Sequence, residues 1–427
     1  MRKALIITYY WPPAGGPGVQ RWLKFVKYLP EFDIEPIVYI PENPSYPILD
    51  ESLLFEVPKG LTILKQPIKE PYRFVNFFSK KKSQTISKGI IKETGSQSVL
   101  EKIMLYIRGN FFIPDARKSW VKPSIQYLSK YVKENSLDLV ITTGPPHSLH
   151  LIGLQLKKQL RVEWVADFRD PWTTIGYHKK LKLTEPSKLK HQELEHEVLN
   201  SADRIIVTSP STKAEFKQKT NVPIEVITNG YDVVKIDEAK LDTKFTLSHI
   251  GSLLSERNPI ILWQVLKDLI EENEAFKNSF QLNLVGSVSE EVLESIKNYI
   301  SSDCINNVGY IKHNESIKYQ KKSQVLLLIE IDSEDTKSII PGKLFEYMAS
   351  NRPIIAIGPE SSDIEHILKE TNSGHYLGYS DYYSLKETIL SHFKAFQKRE
   401  LKSHAIGLQK YTRRELTKKL ANLISWE

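Results

Sequence analysis

The sequence predicts an α/β fold made of two doubly wound parallel-sheet domains. Three observations carry that prediction. Short apolar runs such as ALIIT, DLVIT and PIIAI have the β-branched look of strands buried on both faces. Several are followed by a Gly- or Pro-bearing turn and then a helix-period stretch, the alternation that parallel sheets require. At 427 residues the chain exceeds one ordinary core, so two such units are expected.

The first half opens with KALIITYYWPPAGGPGVQRWLKFVKYL: a strand, a loop and an amphipathic helix carrying Trp22, Phe25, Val26 and Leu29 at helical spacing. Gly15, Gly16 and Gly18 do not form the dinucleotide fingerprint, which needs G-x-G-x-x-G directly after the strand. Pro12, Pro13 and Pro17 stiffen a wider loop whose backbone N–H groups suit a phosphate or sugar, with Gly16 at its centre. PIVYI reads as a second strand. The region from about 49 to 114 reads as an irregular, basic insertion with one or two helices. Alternation resumes with a helix near Lys122–Lys133 and the strand DLVIT. Ligands of open α/β sheets gather at the carboxyl ends of strands. His147 in TTGPPHSLH is therefore better placed for chemistry than His150, and Asp167 and Arg169 in VADFRDPW sit at the end of the next strand. Lone histidines are usually structural, and an ion-paired loop is the plain alternative for DFRD.

SADRIIVTS gives another buried strand, and Asn229-Gly230 in IEVITNGYD marks a turn at the expected domain boundary. The second half restarts the pattern. FTLSHIG, QLNLVG, VGYI and VLLLIEI read as strands, with Gly251 and Gly286 closing the first two and Arg257 in the loop after Gly251. The acidic DSED, residues 332–335, reads as an exposed turn rather than a metal site.

The stretch SIIPGKLFEYMASNRPIIAIG organises the rest. Pro341 suits the first position of a helix, Asn351 an αL stop, and Pro353 prevents continuation. A helix N-terminus presents unpaired N–H groups and partial positive charge to an anion, here from Ile340, Gly342 and Leu344, with Lys343 adding a full charge. Glu346, one turn on, offers two acceptors to vicinal hydroxyls. Phosphate and ribose binders one turn apart make a nucleoside-diphosphate site. The plainer alternative is a capped amphipathic helix with a surface Lys343–Glu346 pair.

PGKLFEYMASNRPIIA resembles the donor-binding segment of retaining GT-B glycosyltransferases of the GT4 type, DFRDPW resembles a segment of the surface-polysaccharide members, and IEVITNGYD, residues 224–232, resembles the family's linker between domains. That resemblance implies two Rossmann-like domains facing a cleft. Residues 1–232 would be the acceptor side, 233–408 the nucleotide-sugar side, and 409–427 a helix returning to the first domain. It implies that Glu346 holds the ribose, that Arg257 and Lys343 grip the diphosphate, and that Gly16, His147, Asp167 and Arg169 line the acceptor side. The family's usual first Glu, eight residues before Glu346, is Ser338 here, which leaves the donor sugar open. The expected donor is a UDP-sugar rather than a GDP-sugar, with no cofactor or metal, and the acceptor a glycan or lipid-linked sugar. An epimerase of the same architecture, or a non-catalytic basic binding protein, are the alternatives.

Charge sharpens the last point. The net charge is +8, yet residues 64–133 hold fifteen Lys or Arg against four Asp or Glu. Lys80, Lys81 and Lys82 follow Phe74, Phe77 and Phe78, and Phe111 and Phe112 lie further on. Basic residues interleaved with aromatics suit an anionic membrane surface better than nucleic acid, for which no module signature is present. A single cysteine, Cys304, fits a reducing cytoplasm, and no apolar run is long enough for a bilayer span. The expected location is cytoplasmic, peripheral on the inner face of the plasma membrane.

Overall fold

The computed structural model describes residues 1–70, 99–233 and 239–425. It divides into one unit of Met1–Asn229 with Arg413–Glu427 and a second of Gly230–Thr412.

The first unit is built on seven parallel strands: β1 (Arg2–Ile7), β2 (Ile34–Pro41), β3 (Thr62–Gln66), β4 (Leu139–Gly144), β5 (Glu163–Phe168), β6 (Arg204–Val207) and β7 (Ile224–Val226). They lie in the order β3-β2-β1-β4-β5-β6-β7. The order reverses between β1 and β4, so the carboxyl ends of those two strands flank the crevice where ligands of such sheets bind. Ala4, Ile6 and Ile141 on one face, and Leu5, Ile7 and Val140 on the other, fall into two separate apolar clusters, as expected for strands covered on both sides.

Two elements differ from the sequence reading. β3 lies inside the stretch read as irregular. Its burial is partial, because TILKQ pairs only with β2 as an edge strand and carries lysine, which removes the apolar signature. Ile224–Val226, read as part of a linker, is the opposite edge of the sheet. The helix Lys118–Glu134 continues through Pro123, where proline removes the bond its N–H would give to the Ser119 carbonyl. The basic-aromatic group from Phe74 to Lys82 lies outside the described residues.

The terminal helix Arg413–Ile424 belongs to the first unit. Leu416, Leu420, Ala421 and Ile424 are buried against Trp22 and Leu23 in one cluster, each large side chain stabilising by about 1.5–3 kcal/mol. Arg413 donates to Gln20 at 2.6 Å, and Arg2 donates to the Ile424 carbonyl at 2.5 Å.

The second unit is a six-stranded parallel sheet of β8 (Phe245–Ile250), β9 (Phe280–Val285), β10 (Ile305–Gly309), β11 (Val325–Ile329), β12 (Ile354–Ile357) and β13 (Gly374–Leu377). The order is β10-β9-β8-β11-β12-β13, so its reversal falls between β8 and β11. Helix Gly342–Ala349 leads from β11 into β12, burying Leu344, Phe345, Tyr347 and Met348. Two parallel-sheet Rossmann-like units of this kind constitute the GT-B fold.

Candidate functional site

In the second unit the site forms at the reversal point. β8 ends in Gly251 at φ 128° and β9 in Gly286, also at 128°. At both positions a side chain would be strained. A Cβ on Gly286 would lie 2.3 Å from the Gly251 carbonyl oxygen, so the two loops pack backbone to backbone. A Cβ on Gly251 would lie 3.5 Å from Lys343 Nζ, which places that ammonium directly over the β8 turn.

Tyr347 fixes the helix there. Its hydroxyl accepts from the Ile250 N–H at 2.9 Å and faces the Ile250 carbonyl at 3.1 Å. Pro341 is the N-cap rather than the first helical residue, with no side-chain cap. The Leu344 N–H turns back to the Pro341 carbonyl at 3.0 Å, so the half-buried helix end is formed by Gly342 and Lys343. Ile340 is buried below it.

Three charged groups meet here without partners. Lys343, Arg257 and Glu330 make no ion pair or side-chain hydrogen bond with the described residues, and Arg257 Nε is buried without an acceptor. Burial and the nearby Arg257 bring the Lys343 ammonium down to about 8, with Glu330 acting the other way. Burial drives the Glu330 carboxyl up to about 7, against the pull of Lys343 and Arg257. Glu330 is only 5% exposed. Sequence reasoning missed it, although a charged residue ending the apolar run VLLLIE was the available signal. Two cations and a capless helix end at a strand reversal are groups chemically suited to an anion.

Glu346 lies beyond Lys343 and does not pair with it, so the surface-pair alternative fails. Its Oε2 accepts from buried Gln320 Nε2 at 3.1 Å, and Oε1 lies 3.7 Å from His313 Nε2. The carboxylate is held from one side by a neighbouring helix and keeps acceptor capacity on its other edge.

In the first unit Asp167 and Arg169 are satisfied. Asp167 is 0% exposed. It accepts from Arg21 Nη2 at 2.8 Å, Trp22 Nε1 at 2.7 Å and Thr143 Oγ1 at 2.8 Å. Although burial opposes ionisation, Arg21 and these donors hold the carboxyl below its ordinary range. Both oxygens are occupied, so Asp167 is a scaffold group, contrary to the expectation of a ligand-facing role; its partner is Arg21 and not Arg169. Arg169 instead lies against Gly18, where a Cβ would clash with Nη1. Its guanidinium donates to the Gly144 carbonyl at 3.3 Å and to the Pro145 carbonyl. The residue thereby ties the glycine loop to the turn after β4. Gly16 caps helix Pro17–Tyr28 at φ 105° with open space beside it.

His147 is the exception. It sits at the carboxyl end of β4, stacked on Trp172 at 4.9 Å and 3°, and is 3% exposed. Neither ring nitrogen has a partner among the described residues, and burial, with lesser repulsion from nearby histidines and Arg169, holds it well below the usual imidazole range. A neutral imidazole there can donate or accept. His150, by contrast, is committed to Thr142 at 2.9 Å.

Residues 93–235 match the family model Glycosyltransferase Family 4. No curated protein matches the chain. Among solved structures, sucrose-phosphate synthase from Thermosynechococcus elongatus superposes with a TM-score of 0.62 at 13% identity, covering 99% of this chain and 98% of that one. HepE of Anabaena in complex with UDP-glucose gives 0.61 at 13%, covering 100% of both. A structure assigned to UDP-N-acetylglucosamine 2-epimerase from Listeria monocytogenes gives 0.57 at 13%, covering 99% and 95%. The chain therefore has the GT-B fold, and the family-model match supports a GT-B glycosyltransferase.

Proposed function

We propose that the protein transfers a sugar, a hexose or N-acetylhexosamine, from a UDP-sugar to a glycan or lipid-linked acceptor with retention, in cell-surface polysaccharide assembly. The observation that carries the reading is the pair of unpartnered cations, Lys343 and Arg257, beside the capless helix end at Gly342. As the anomeric C–O bond breaks, its electron pair passes to the diphosphate, and this cluster stabilises the anion without calling for a metal. Glu346 takes the ribose hydroxyls. His147, with Arg169 and Gly16, serves the acceptor side. UDP is favoured over GDP because a structural neighbour was captured with UDP-glucose. On this reading the protein works at the cytoplasmic face of an anionic membrane.

The test is product analysis with a panel of UDP- and GDP-sugars, with and without acceptor saccharides. A glycosylated acceptor with the donor's anomeric configuration supports the reading. A sugar nucleotide epimerised in the absence of acceptor would replace it with the epimerase.

A further inference from the structure

Asp170 is a group of the first unit that neither the scaffold nor the proposed chemistry uses. It follows β5 in the segment DFRDPW, whose other two charged residues are committed. Asp167 is held by Arg21, Trp22 and Thr143, and Arg169 donates to the Gly144 and Pro145 carbonyls. Asp170 is half-buried, yet it makes no ion pair or hydrogen bond with the described residues. Burial pushes its carboxyl above the ordinary range, against the pull of Arg169 and with a lesser push from Asp167. A carboxylate taken from water without donors is unfavourable, so the place is completed by donors from outside the protein.

The chain on either side of Asp170 is anchored. The Arg169 N–H donates to the Gly144 carbonyl at 2.9 Å, and its carbonyl accepts from Thr208 Oγ1 at 2.7 Å. Pro171 disfavours a helical conformation at Asp170. Trp172 is buried and donates from Nε1 to His191 Nδ1 at 3.2 Å. The carboxylate is thus presented by specific contacts at the carboxyl end of β5, the strand that pairs with β4. Two further uncommitted groups lie near Arg169. Tyr10, half-buried after β1, has its ring 5.7 Å from the guanidinium, and its hydroxyl is not hydrogen-bonded among the described residues. His147 is neutral, with both nitrogens open among those residues. A carboxylate that only accepts, a phenol and a neutral imidazole match hydroxyl groups. They do not match an anion, because the cation beside them is already committed to carbonyls.

We infer that Asp170 accepts hydrogen bonds from adjacent hydroxyls of the sugar that receives the transferred unit, and that this receiving sugar is uncharged. The inference rests on the glycosyltransferase reading and deepens it by naming the acceptor class. Two carboxylate oxygens span a pair of neighbouring hydroxyls with charge-assisted bonds. An acidic sugar or a sugar phosphate would bring like charge to the same place.

The experiment is a saturation-transfer NMR titration of the full chain with methyl glycosides of neutral hexoses, the matching methyl hexuronosides and hexose phosphates, in the presence of UDP. The proteins are wild type, Asp170→Asn and Asp170→Ala. Wild type should bind a neutral glycoside about tenfold or more tightly than its acidic counterparts. Asp170→Ala should weaken the neutral glycoside by roughly ten- to a hundredfold. Asp170→Asn keeps the shape and removes the charge, so the preference for neutral over acidic sugars should shrink to about threefold or less, a change that a merely structural role would not produce. UDP titration and melting of the three proteins should agree, which separates lost acceptor binding from lost donor binding or lost folding. Failure of wild type to bind UDP would count against the donor site, while the saccharide titration still decides the role of Asp170. Three results would overturn the inference: no glycoside binding by wild type; acidic sugars bound as tightly as neutral ones; or Asp170→Asn with wild-type affinity and preference.

Discussion

The two sheets present the same kind of place, the carboxyl ends of strands at a reversal of strand order, and furnish it in opposite ways. In the first domain Asp167 is closed by Arg21, Trp22 and Thr143, and Arg169 by backbone carbonyls. In the second, Lys343, Arg257 and Glu330 lie near one another with no partner within bonding distance among the described residues. Buried charge is costly unless paired. Matched charge therefore indicates scaffold, and unmatched charge at a strand end indicates a place kept for a ligand. The comparison supports the proposal that a nucleotide binds in the second domain, and leaves His147 as an open group of the first.

The largest effect that can break the comparison is on stability. Removing one partner of a fully buried pair leaves the other uncompensated, so Asp167→Ala should destabilise the first domain by roughly 3–5 kcal/mol in denaturant unfolding. Lys343→Ala should leave stability near wild type. Equal destabilisation by both would mean that the two clusters do not differ in kind. Next comes affinity. A hydrogen bond to a charged group contributes about 1.5–3 kcal/mol, so Lys343→Ala should weaken UDP binding by roughly ten- to a hundredfold, and Arg257→Ala by somewhat less.

The pH dependence follows from the same groups. The diphosphate needs Lys343 charged and Glu330 neutral, and these change near 8 and near 7. Raising the pH through that window removes the cation and creates a carboxylate, so UDP affinity should be highest below pH 7 and fall towards 9. Titrations at stepped pH that show constant or rising affinity would contradict the assignment. The smallest effect is selective: His147→Ala should lower turnover while UDP affinity stays as in wild type, read as kcat against nucleotide Kd.

Much of this was legible before the structure. The all-apolar strands were, because burial on both faces leaves a run with no polar interruption. β3 was not, because an edge strand is half solvated and TILKQ carries the polar side chains that solvation permits. In the candidate site, Lys343 and Glu346 follow from the helix N-terminus and one-turn spacing. Glu330 does not: it closes an apolar run, and its meaning depends on Lys343 and Arg257, which only folding brings close. Asp167 shows the converse limit. Its place at a strand end is local and readable, whereas its saturation by Arg21 comes from a contact 146 residues away in sequence.

The account rests most directly on calorimetric titration of UDP and GDP into wild type, Lys343→Ala and Glu346→Ala. The expected result is one bound nucleotide, UDP, with affinity sharply reduced in both variants and folding intact. Binding of equal strength in all three proteins, or none in wild type, would contradict the claim that the unpaired cluster of the second domain is the nucleotide site.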